Sequence, residues 1–125
     1  MPLRHIDGAD LDYYLVLFDR DGNERPEPDG SLLSQKLTEA VRGNASDVFI
    51  SSHGWKGDVP AAIRQYNAWI SAMAAQARDR SRARTLDPAF TAVIVGAHWP
   101  SLPWGEEDAG SALLGEAAMT DDPVP

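Results

Sequence analysis

The chain has 125 residues, 43% of them hydrophobic and 24% charged, which suits one ordinary folded domain and excludes wholesale disorder. It contains no cysteine, so disulfides, thiolate metal sites and a cysteine nucleophile are excluded together. The net charge of -8 is uneven: residues 1–84 hold all 11 bases and 12 acids, whereas residues 85–125 hold 7 acids and no base, a distribution that repels nucleic acid.

No apolar run approaches the ~20 residues of a membrane span, and the amino terminus lacks the apolar stretch of a signal peptide. The expected home is therefore the cytoplasm, with neither membrane nor nucleic acid as a partner. In chain order, Leu11 to Phe18 is rich in aromatic and large apolar residues and predicts a strand. It ends in the turn formers Asp19 to Glu24, and a proline-rich loop follows over 25–30. Ser31 to Val41 has helical spacing of leucine and alanine, closed by Gly43-Asn44 as a stop signal.

Asp47 to Ser52 is short and apolar, the pattern of a buried strand. The glycine-punctuated turn His53 to Gly57 leads into the longest periodic segment. There Val59, Ala62, Ile63, Tyr66, Trp69, Ile70, Met73, Ala74 and Ala77 mark one apolar face of a helix. Asp58 is a natural N-cap, and Pro60 sits in the first turn, where its missing N–H costs nothing. The arginines at 78, 80, 82 and 84 read as a solvated helix end suited to the C-terminal dipole. Phe90 to Val95 predicts another buried strand, and Gly96 to Gly105 a loop. A helix over Ser111 to Ala118 and disorder in the last six or seven residues are expected within the acidic tail, 106–125.

Strands alternating with helices predict an α/β fold: a three-layer arrangement with a short parallel sheet of about three strands and flanking helices, over residues 1–105. Functional groups in such sheets gather at the carboxyl ends of strands. Two loops lie there, His53-Gly54-Trp55 and His98-Trp99-Pro100-Ser101. A backbone N–H between a strand and a helix N-terminus suits an oxyanion, and glycine permits the turn and the close approach of a ligand.

Val48-Phe-Ile-Ser-Ser-His-Gly-Trp55 and its following helix resemble the third strand, His-Gly loop and first helix of the α/β-hydrolase fold. Val93-Ile-Val-Gly-Ala-His-Trp-Pro-Ser101 resembles the next strand and its loop, so the likeness spans roughly residues 11–105. Within that superfamily the pattern is most similar to bacterial serine-hydrolase-like proteins. The resemblance implies serine esterase or amidase chemistry, with Trp55 donating its backbone N–H to the oxyanion while His53 and Gly54 shape the turn.

The family's Gly-x-Ser-x-Gly nucleophile elbow is absent from these residues. Serine-hydrolase members place the acid and histidine later still, so no catalytic residue is assigned and the chain is expected to be inert alone. An α/β enzyme of six to eight strands needs roughly 200 residues or more, so the chain reads as stopped partway through its fold. A small ester or amide would be a substrate only if that fold were completed.

A second class of function is a non-enzymatic interaction module. It would use an exposed sheet edge or the loop 98–104, with His98, Trp99, Ser101 and Trp104 as candidate pocket or contact residues. No cofactor is expected, and no metal, because His5, His53 and His98 lack ligand spacing and Asp19 to Glu24 lacks the spacing of a calcium loop. Ser52 beside His53 is poorly placed as a nucleophile, since neighbours on a strand face opposite ways.

Overall fold

In the computed structural model, which describes residues 3–55 and 57–101, four strands form one mixed sheet. They are β1 (Leu3–His5), β2 (Asp12–Leu17), β3 (Asp47–Ser52) and β4 (Ala92–His98), in the spatial order β1-β2-β4-β3. Helices α1 (Leu33–Val41), α2 (Val59–Ala74) and α3 (Ala77–Leu86) lie between them in the chain. β2, β4 and β3 are parallel, as the alternation of strands and helices predicts, but β1 pairs antiparallel with β2. The sheet thus has four strands rather than three. β1 escaped the pattern because three residues, Leu-Arg-His, are too few to display a period.

The sheet is covered on both faces. On one, Tyr13 and Leu15 of β2 and Ile94 of β4 pack with Val59, Ala62, Ile63, Tyr66 and Ile70 of α2. On the other, Val16, Val95 and the partly buried Tyr14 and Val93 pack with Leu33 and Leu37 of α1. Residues 13 and 15 against 14 and 16 follow the two-residue period of a strand, so one strand serves two cores.

Local chemistry explains the helix starts. Asp58 accepts the Ala61 N–H at 2.7 Å as the N-cap of α2, with Pro60 in the first turn. α1 has no side-chain cap from its own N-cap residue, Leu32. The Glu24 carboxylate supplies one from a distance, accepting the Ser34 N–H at 2.8 Å and the Ser34 hydroxyl. Glu24 is brought there by a turn in which Asp19 accepts the N–H groups of Asp21 and Asn23. At α1's far end, Gly43 has φ 81°, a left-handed stop that other residues adopt at a cost.

Three further expectations need correction. Asp47 to Ser52 forms a strand with those bounds, but it is an exposed edge rather than a buried strand, and Ile50 is 72% exposed. Among the described residues it pairs on one side only, with β4, while α1 packs on β2 and α2 on β4. The long helix is interrupted at Ala75 and Gln76, so Ala77 and the arginines belong to a separate helix, α3, with no buried residue. The Arg80 guanidinium turns back to donate to the Ala74 carbonyl at 3.2 Å, satisfying the end of α2 from the next helix. Trp69 lies on the predicted apolar face yet is exposed, because the edge strand beside it leaves that flank open.

Candidate functional site

Because β3 and β4 are parallel neighbours, their carboxyl ends lie side by side and deliver the two candidate loops to one place. Paired register ends at Ser52 and Ala97. The sequence reading ends this strand at Val95 and expects loop from Gly96, but Gly96, Ala97 and His98 continue β4. On the β2 side, His98 still accepts the Phe18 N–H through its carbonyl at 2.9 Å. On the β3 side, side-chain bonds replace the ladder.

The His53–Gly57 turn is tied to this extension at residues 97, 99 and 101, the first through Tyr66. The Tyr66 hydroxyl accepts the His53 N–H at 2.8 Å and donates to the Ala97 carbonyl at 2.5 Å. The Trp99 N–H donates to His53 Nε2 at 3.2 Å. The Ser101 hydroxyl accepts the Gly57 N–H at 2.9 Å and lies 3.1 Å from the Gly57 carbonyl and 3.4 Å from that of Gly54, either of which can take its single proton. Ala97 and Trp99 act through backbone groups, which alternate residues of a strand aim at one neighbour, and Ser101 acts through its side chain. Pro100 helps, since it holds Trp99 away from helical angles.

These partners fix the tautomer of His53. An amide N–H can only donate and a carbonyl can only accept, so Nε2 accepts from Trp99 while Nδ1–H donates to the Gly54 carbonyl at 2.7 Å. The ring stacks on those of His98 and Trp99, at centroid separations of 4.8 and 5.5 Å. The Trp99 indole N–H also donates to the His53 carbonyl at 3.3 Å. Both ring nitrogens of His53 are therefore committed to backbone, an arrangement that gives no general base. Ser101 binds backbone rather than an imidazole, and Ser52 reaches only the His53 carbonyl, at 3.4 Å.

His98 is 1% exposed, and its pKa is pushed down to about 4. Burial is the main cause; His53 and Arg25 add to it, while Asp58 and a backbone hydrogen bond with Gly57 oppose it. His98 is thus held neutral. Ser101 is also buried, whereas Trp55 is 70% and Trp99 40% exposed. Trp104 lies outside the described residues, as does the whole acidic tail. Among the described residues, no group of three or more metal-ligating side chains is present, and no helix is long and apolar enough to cross a membrane.

Sequence reasoning missed Tyr66 and two glycines. A Cβ at Gly96 would stand 2.7 Å from the Tyr66 ring, and one at Gly57 would stand 2.8 Å from His53 Nδ1. Glycine inside a strand pattern is the signal that was available at position 96, since it marks close approach by another group. Compared with protein-family models, curated proteins and solved structures, the chain matches none.

Proposed function

We propose that this chain forms the oxyanion side of an α/β-hydrolase-type serine esterase or amidase, carries no catalytic triad of its own, and is inactive by itself. The observation that carries this reading is the commitment of His53: both ring nitrogens bind backbone, so the ring shapes a turn and removes no proton. What the turn offers is backbone at Gly54 and Trp55, at the carboxyl end of a parallel strand and just ahead of α2. Amides held there by a rigid frame stabilise a developing negative charge without reorganising. The nucleophile would come from residues that complete the sheet, since no Gly-x-Ser-x-Gly occurs among these 125.

Methylphosphonate, a tetrahedral anion, tests the turn directly. Titration at millimolar concentrations is expected to move the Trp55 amide resonance more than any strand amide; an unchanged Trp55 signal would remove the reading. With an activated p-nitrophenyl ester no burst is expected, and a burst abolished by a serine-directed organophosphonate would contradict the inertness. The second class, an interaction module, is favoured by the exposure of Trp55 and Trp99 on adjoining loops. It expects a protein partner that binds the wild type but not a W55A/W99A double variant, with no response to methylphosphonate.

A further inference from the structure

We infer that Ser101 is a positioning residue for the His53–Gly57 turn, setting the direction of the Gly54 and Trp55 backbone from 44 residues away in sequence. The inference rests on the oxyanion reading for its functional meaning, but its geometry stands independently.

The turn enters from β3 and leaves into α2, and it is held differently at each end. At the entry, Tyr66 grips the His53 N–H and the Ala97 carbonyl together. The ring of Tyr66 lies against Gly96, and its hydroxyl has a pKa raised by burial, so it stays protonated and able to donate. In the middle, the His53 ring bridges the Gly54 carbonyl and the Trp99 N–H. At the exit, the Gly57 N–H is taken by Ser101, whose buried hydroxyl also faces the carbonyls of Gly54 and Gly57. The Asp58 carboxylate acts further on, accepting the Ala61 N–H as the cap of α2.

The entry and middle bonds fix His53. At the exit Ser101 holds the Gly57 N–H while His98 hydrogen-bonds the Gly57 backbone, and Gly54 and Trp55 lie between these points. A turn held at one end can rotate its peptide planes; one held at both ends cannot without breaking a buried hydrogen bond. Alternate residues Ala97, Trp99 and Ser101 thus form a template against which the first loop is cast. The same arrangement gives the serine a role other than nucleophile or contact residue.

The test uses the full 125-residue chain and compares wild type with Ser101→Ala and Ser101→Thr by amide hydrogen exchange, scaled to Ile94 in β4 as a reporter of global stability. In S101A the Gly57 amide is expected to exchange about tenfold faster relative to Ile94, the scale of one lost hydrogen bond. The ring nitrogen signals of His53 should keep their tautomer, and S101T should restore the slow exchange at Gly57. The response of Trp55 to methylphosphonate should weaken in S101A and return in S101T. Unchanged relative exchange at Gly57 in S101A, or a rise shared equally by every amide, would overturn the inference. If wild-type Trp55 ignores methylphosphonate while Gly57 still loosens in S101A, the oxyanion reading fails and the positioning role stands.

Discussion

Two positions show how little room the site leaves for side chains. Gly96 faces the Tyr66 ring so closely that an added methyl would sit 2.7 Å from it, and the ring is pinned by its hydroxyl to His53 and Ala97. Gly96→Ala should therefore cost about 1–3 kcal/mol, the range for overpacking a filled core, measurable by urea denaturation. A cost near zero would mean that Tyr66 swings aside freely. His98 makes the pH prediction. Its unfolded pKa is near the ordinary 6.5 and its folded value about 4, so between these the unfolded chain binds the extra proton. Stability should fall as pH drops through that window, by at most about 3 kcal/mol in full. Denaturation midpoints at several pH values would show the slope, and His98→Gln should flatten it; an equal slope in both proteins would assign the effect to other groups.

Among the elements, α2 is the one that both covers a core and builds the site. Its cap is local, so Asp58→Ala should cost about 1 kcal/mol through the freed Ala61 N–H, read as a lowered denaturation midpoint with an unchanged slope. A loss below about 0.3 kcal/mol would show that water replaces the carboxylate fully. The segment that follows illustrates where periodicity misleads. Ala77 fits the apolar stripe by spacing, yet the chain breaks at Ala75 and Gln76 because the arginine-rich run beyond has no apolar face to bury. The edge strand errs in the opposite sense. Val48, Phe49 and Ile50 have the composition of a buried strand, and composition carries no information about whether a second neighbour arrives.

For the molecule as a whole, the edge left open among the described residues is the main liability. Val48, Phe49, Ile50 and Trp69 are all exposed, and the last three line a groove of about 230 Å³ between β3 and α2. An apolar edge with unpaired backbone favours strand addition and self-association. Light scattering of the chain should therefore rise with concentration, and Ile50→Lys should suppress the rise by placing a charge on the edge. A wild-type chain that stays monomeric at high concentration would show that the edge is protected.

The sequence by itself determined the α/β character with β2, β3 and β4 parallel, the capped start of α2, the stop at Gly43, and the two loops at strand ends. These depend on neighbours within a few residues, where spacing and turn chemistry act directly. It also singled out His53, Gly54, Trp55, His98, Trp99 and Ser101, because histidine and tryptophan beside glycine and proline are conspicuous at such places. What only the tertiary structure decided is how those residues are used. The bonds joining Gly57 to Ser101, His53 to Trp99, and Tyr66 to both His53 and Ala97 cross long stretches of chain. They exist because β3 and β4 lie parallel and adjacent, and no local pattern of residues encodes which strands become neighbours.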